Sequence, residues 1–357
     1  MPAYGSGLSS QVMIAAETTV GTAVTTTTGY EILSEGFQFV PTDLDGAGLR
    51  SGQAFERVSR HVRSRIDVNG DLVVEHTDKG HMALLWKHAI GSALTVPVVI
   101  GATTAYESYL TPGAHTGMGL TVQTGEVQPD GTVRPFTWSG VKFPQWDFSV
   151  SDGQVAQLKL TADAWNLDTS ASLAVASYTA NAGIFTFMDA STFKIGGTPS
   201  TTAGKTTVAA GSTLATLFNS LTLTGSTPMK QDRYGLGNAG TKKEQMENAI
   251  PTITGTLGGE FTQRTEIFDL FKSNTQTTLQ LDFTHFDGAG KDAGGVNAGP
   301  NPYLLSFIFP AVKFTSVVAN TQGPDVTPQT ATFKAFDDGS GTNPVMQVHL
   351  VSTDTTL

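Results

Sequence analysis

Residues 66–87 read IDVNGDLVVEHTDKGHMALLWK, and residues 251–272 read PTITGTLGGEFTQRTEIFDLFK. At a constant spacing of 185 positions (255 − 70), Gly70 falls on Gly255 and Leu72 on Leu257. Glu75, Thr77, Lys79, Leu85 and Lys87 fall in the same way on Glu260, Thr262, Arg264, Leu270 and Lys272, with no gap. Each copy starts as a strand around its glycine and passes through a polar turn into a short helix. In the first, Met82, Leu85, Trp86, Ala89 and Ile90 recur at i, i+3, i+4, i+7 and i+8, which is one apolar helix face. Ile267, Leu270 and Phe271 supply the matching face in the second. Different residues at one geometry indicate a diverged duplication.

Two further anchors extend the repeat. GVKF at 140–143 matches AVKF at 311–314, and each precedes a strand pair, WDFSV…AQLKLTADA and FTSVVA…ATFKAF. Pro41 stands seven residues before Gly48-Leu49, and Pro228 seven before Gly235-Leu236. Each half therefore reads as a strand, a long glycine-rich loop, a return strand, a short helix and a further strand pair, with halves at 1–178 and 179–357. Between them, 166–184 reads as a final strand and linker, IFTFMDASTFKIGG as a hairpin, and 195–212 as a polar loop.

Composition agrees with β structure. Of 357 residues only 15% are charged, against roughly 25% in soluble proteins generally, while Thr, Val and Gly are frequent. So few charges also suit a surface covered by other chains. The net charge of −10 argues against wrapping nucleic acid. With no cysteine, disulfides and thiolate metal sites are impossible. The N-terminus lacks the basic and apolar pattern of a signal peptide, and the longest apolar run, 93–102, is too short to span a bilayer. A soluble protein made in the cytoplasm is expected.

No motif nominates an active site. Gly235-Leu236-Gly237-Asn238-Ala239-Gly240 has the G-x-G-x-x-G spacing, but the preceding apolar run ends about ten residues earlier and no helical period follows. Without a helix N-terminus a pyrophosphate has no seat, so a glycine-jointed hairpin loop is the expectation. TPSTTAGKTT (198–207) lacks the first glycine of a phosphate loop, since position 199 is proline. His76, His81 and His88 lack zinc spacing and are expected at a surface or interface. No Gly-x-Ser-x-Gly occurs. Neither a cofactor nor catalysis is expected. Arg57, Arg60, Arg63 and Arg65 are concentrated in ERVSRHVRSR, though 1–178 remains acidic, with ten basic against 17 acidic side chains. Guanidinium groups suit carboxylates across a subunit boundary, with DNA contact the competing use.

VNGDLVVEHTDKGHMALLWKHAIGS followed by GVKFPQWDFSVSDGQVAQLKLTADAW resembles the tail tube protein of long-tailed bacteriophages, and FTFMDASTFKIGG through ITGTLGGEF resembles it again. The resemblance implies two tandem β-sandwich or barrel-like modules, each with one short flanking helix and a long hairpin loop. It implies rings stacked into a hollow virion tail tube, assembled in the host bacterial cytoplasm, through which the genome leaves without specific binding. Tape measure, tail terminator and baseplate proteins would be its partners. Loops 41–65 and 228–250 would reach between rings, with Arg50, Arg57, Arg60, Arg63, Arg65, Arg233, Gly235, Gly237, Gly240, Lys242 and Lys243 in contact. Deleting 233–243 is expected to leave the fold intact and stop tube growth. Two modules per chain imply trimeric, pseudo-sixfold rings rather than hexamers. Carboxylates such as Asp71, Glu75 and Asp147 would face the lumen and repel phosphate. A single-ring tail terminator or baseplate hub is the alternative; a sugar-binding adhesin would need a secretion route.

Overall fold

A computed structural model describes residues 5–321 and 323–357. In chain order its principal elements are β1 (Gln11–Ala16), β2 (Ile32–Glu35), β3 (Gln38–Asp45), β4 (His61–Glu75), α1 (Met82–Ile90), β5 (Leu120–Val127), β6 (Val133–Ser151) and β7 (Gln157–Ala164). The second half adds β8 (Ala190–Ile195), β9 (Phe218–Ser226), β10 (Thr252–Glu260), α2 (Phe268–Ser273), β11 (Thr277–His285), β12 (Tyr303–Ala319), β13 (Pro328–Ala335) and β14 (Gln347–Ser352). The chain is mainly β, as its composition predicts. Among the described residues no helix is long and apolar enough to cross a membrane.

The strand register carries the repeat. Gly70 of β4 lies opposite Ala162 of β7, and Gly255 of β10 lies opposite Phe333 of β13. A 185-residue spacing in one strand thus meets a 171-residue spacing in its partner (333 − 162). The same 171 relates β6 to β12, including an irregularity. Thr161 faces Gln145 and Asp163 faces Lys142, while Thr332 faces Ser316 and Lys334 faces Lys313. In both halves one extra residue on the long strand, next to Phe143 or Phe314, makes a bulge that bends it. GVKF and AVKF therefore lie inside the long strands, not ahead of them. An apolar strand that turns from one layer to the next needs that bend.

The bend divides each long strand between two layers. One layer runs β2/β3–β4–β7–β6–β9–β10–β13–β12, all antiparallel, using the C-terminal parts of β6 and β12. The other pairs the N-terminal parts of β6 and β12 with β5 and β11, which in turn pair β1 and β8. Alternation sends one face of each strand into the space between. There Phe148 meets Phe283 and Phe307 at ring distances of 5.7 and 4.9 Å. One continuous core joins the two halves.

α1 closes this core. Met82, Leu85 and Trp86 are buried as their spacing predicts, but so are Ala83, Leu84, His88, Ala89 and Ile90, so the helix is enclosed on nearly every side. It ends at Gly91, whose φ of 70° is the left-handed conformation that closes helices cheaply. Trp86 sits edge-on to Trp146 and Phe307 at 5.1 and 5.5 Å. α2 is shorter and lies at the margin: Ile267 is buried just before it, whereas Leu270 and Phe271 are half-buried.

Three expectations change. Residues 198–209 form a β-hairpin (Thr198–Thr202 with Lys205–Ala209) rather than a loop. Residues 187–195 form a 3-10 turn and the single strand β8 rather than a hairpin, because β8 pairs with β11. Of the three histidines, His76 and His88 are buried rather than at a surface, while His81 is half-buried. His76 shares the inward parity of Leu72 and Val74, is fully buried, and its Nε2 accepts a hydrogen bond from Trp86 Nε1 at 2.9 Å. His88 is buried within α1. Burial pushes both imidazoles down to about 3.

Candidate assembly surface

Three features of the eight-strand layer face outward: a polar face, two loops at its rim, and two open edges. The polar face is built by alternation. Opposite the buried Leu72, Val74, Phe148, Leu158, Leu221 and Leu257, the layer presents Asp71, Glu75, Asp147, Lys159, Thr222, Thr224, Thr254 and Thr256. The three predicted lumen acids, Asp71, Glu75 and Asp147, thus share one face. Asp71 is paired with Lys159 at 2.8 Å. Asp147 accepts hydrogen bonds from Thr224 at 2.6 Å and Gln145 at 3.1 Å. Glu75 has no ion pair among the described residues. Hydroxyl and amide groups dominate this face, and its charges are sparse and partly compensated.

The loop between β9 and β10 folds back over the rim of the first half. Its Gly240 carbonyl accepts from the Ile66 amide at 2.9 Å, and Tyr234 Oη donates to the Ile66 carbonyl at 2.9 Å. Lys242 is fully buried there, with Nζ 2.5 Å from Asp163 and 2.6 Å from Asp67. Gln245 donates to the other Asp163 oxygen, and Glu244 pairs with buried Lys142 at 2.7 Å. Burial pushes the Asp163 carboxyl up against the pull of Lys242, and pushes Lys142 down. A buried pair of this kind holds only because every charge is answered. Lys242 and Gly240, expected at a contact between rings, are therefore spent inside the chain. Arg233, also expected there, donates to the Glu244 carbonyl. Gly235, Gly237 and Lys243 remain at the open tip, where Leu236 is fully exposed. Removing 233–243 would leave Asp163 unanswered as well as remove the tip.

The loop does not make the strand-to-helix turn of a dinucleotide site, although an open hollow of about 360 Å³ lies against Lys230, Arg233, Tyr234 and Lys243. Tyr234 and Lys242 bridge as an antiparallel pair, so the three glycines sit in a small hairpin with no helix after it. A cavity of about 370 Å³ beside Phe187, Phe193 and Phe218 has no titratable side chain in its lining. No group of acidic or histidine side chains that could hold a metal ion occurs among the described residues.

The loop between β3 and β4 behaves differently. Arg63 pairs with Asp43 at 3.0 Å and Arg65 stacks on Tyr234, so the base of this hairpin is fixed. Arg60 lies along Gly46 and Gly48. Beyond them Arg50 and Arg57 have no ion pair among the described residues, and Leu49, Phe55 and Val58 stand in solvent at 102, 89 and 91% exposure. Sequence reasoning found both loops but not that one is docked and one free.

Among the described residues the open edges are β3, which pairs only β4, and the C-terminal part of β12, which beyond Val312 pairs only β13. Unpaired edges invite association. The internal join between β6 and β9 supplies the pattern for such an edge: Ser220 faces Ser151, Leu223 faces Phe148, and Gly225 faces Trp146.

A family model for the phage tail tube protein matches residues 7–335. The chain belongs to the phage tail tube family. A tail tube protein is a structural component of the virion tail that self-assembles, not an enzyme. A search of curated proteins gave no match to the chain.

Proposed function

We propose that this tail tube protein closes into rings of three chains, stacked as a tube whose lumen is the polar face and through which the phage genome is ejected. Each half, 1–178 and 179–357, acts as one tube module. The observation that carries this reading is the β6–β9 join. Residues 34–40 are related to 220–226 by a spacing of 186, because Ser34 and Gln38 face Val73 and Asn69 as Ser220 and Thr224 face Gly258 and Thr254. Copying the internal register onto the open edges places Gln38 opposite Val318, Phe39 opposite Val317 and Val40 opposite Ser316. Inside the chain the small Gly225 receives the large Trp146; between chains the large Phe39 would meet the smaller Val317. The volumes are exchanged, and the sum is kept near that of a packed core.

Exposed tips at Leu49 and Leu236, twin positions in the two loops, are the parts left to reach an adjacent ring, with Arg50, Arg57 and Lys243 beside them. Sparse carboxylates on a hydroxyl-rich lumen would let DNA phosphate slide without holding it. Tape measure, terminator and baseplate proteins would meet the tube at its interior and ends, during assembly in the host cytoplasm. Electron microscopy of purified protein tests the reading: long tubes with three chains per ring are expected. Six chains per ring, or rings that never stack, would overturn it.

A further inference from the structure

The rim sites of the two halves differ in charge. In the first, Asp163 faces Lys142 across the strands, and the β9–β10 loop answers both with Lys242 and Glu244. In the second, the same register sets Lys334 opposite Lys313. Neither lysine has a carboxylate within ion-pair distance among the described residues, and Lys334 rests only on the ring of Phe336. Like charges facing each other across strands are unfavourable. This rim lacks both a cover and an anion.

The twin loop has both to offer and nothing to cover in its own chain. Counted outward from the first strand of each hairpin, Glu56 stands sixteen residues after Val40, as Lys242 stands sixteen after Ser226 (56 − 40 and 242 − 226). Counted back from Gly70 and Gly255, the place of Lys242 falls on Arg57 next to it, and Glu56 is the one carboxylate in 46–60. Glu56 is exposed, has no ion pair among the described residues, and lies between the exposed Phe55 and Val58. Arg57 matches Lys243, which in the docked loop points to solvent.

We propose that the 46–60 loop of one chain lies across the second half of its neighbour, with the Glu56 carboxylate between Lys313 and Lys334 and with Phe55 and Val58 buried against that surface. The contact is the charge-reversed copy of Lys242 on Asp163. It rests on the ring reading above and adds to it the residue that locks each junction. Reversal also confers selectivity: Glu56 is repelled by the Asp163 and Asp67 rim, so the loop is accepted only by a second half. The basic rim then serves chain pairing rather than DNA.

The chain has no cysteine, so engineered pairs give a clean readout. Tubes of a variant carrying Glu56→Cys and Lys334→Cys are oxidised and run on a denaturing gel, beside tubes carrying Gln38→Cys and Val318→Cys. Covalent trimers from both pairs are expected, with none from single-cysteine variants. Cross-linking at 38–318 but not at 56–334 overturns the loop contact and leaves the ring standing; failure of both overturns the ring and the contact with it. Independently, Glu56→Lys should raise the concentration needed for assembly roughly tenfold or more. Adding Lys313→Glu and Lys334→Glu should restore it. An unchanged Glu56→Lys, or no rescue, overturns the contact; retained DNA binding to the rim in assembled tubes would point to phosphate as its occupant and overturn it too.

Discussion

Gly225 lies directly opposite Trp146 where the two halves join, and a Cβ on Gly225 would stand 2.1 Å from the indole. The glycine is required by what faces it, since neither strand can move without parting eight paired strands. Gly225→Ala should therefore cost about 1–3 kcal/mol through overpacking. Urea denaturation monitored by tryptophan fluorescence would measure it, and an unchanged midpoint would show that the join is loose.

The same contact predicts an exchange between chains. Val317 is already buried in the isolated chain, so Val317→Trp should cost it about 1–3 kcal/mol through overpacking. It should also block assembly, because Phe39 of the next chain would have no room. Phe39→Gly added to Val317→Trp should recover tubes, reproducing at the outer junction the pair found at the inner one. Sedimentation and negative-stain microscopy of the single and double variants would check this.

Lys242→Met should be among the most destabilising changes at any charged position. It leaves Asp163 buried and unanswered, a loss of about 3–5 kcal/mol. Adding Asp163→Asn should return part of that loss, which a double-mutant cycle in urea would quantify.

Acid should weaken the fold below pH 6.5. His76 and His88 are held neutral by burial, with folded values of about 3 against an ordinary 6.5. The unfolded chain therefore binds more protons in this window. Stability is fully present above pH 6.5 and declines as pH falls toward the folded values. From pH 7.5 to 5.5 each histidine should cost about 1.4 kcal/mol. His88→Leu should reduce that dependence; equal slopes for the variant and the wild type would count against it.

On the polar face, Asp147→Lys and Glu75→Lys should slow genome ejection. Asp71→Lys would in addition set two cations side by side, since Lys159 already neutralises Asp71. Ejection assays on phage carrying each substitution would read the effect, and wild-type rates would remove these acids from any role in passage.

The repeat was legible because strand alternation fixes which residues must match, so Gly70 and Gly255 align on spacing alone. The parity that buries Leu72 and Val74 also buries His76, a signal present in the sequence and overridden by the polar look of its neighbours. The docking of 228–250 was not legible. Lys242 has the surroundings of a surface cation in its own segment, and its partner Asp163 is 79 positions away. The readable hint was Lys142, a lysine inside an otherwise apolar strand, which requires an anion from elsewhere in the chain. The hairpin at 198–209 was missed because short Thr-rich strands differ little from loops in composition.

The join between β6 and β9 also bears on how readily rings form. In the proposed three-chain ring, three of the six junctions would be built into the chains, and ring concentration would rise with the third power of chain concentration rather than the sixth. Dilute protein in an infected cell would then cross the threshold for closure early, and the covalent tie would impose strict alternation of the two kinds of junction around such a ring. On that reading, carrying two modules in one chain lowers the concentration needed for closure as well as setting the architecture.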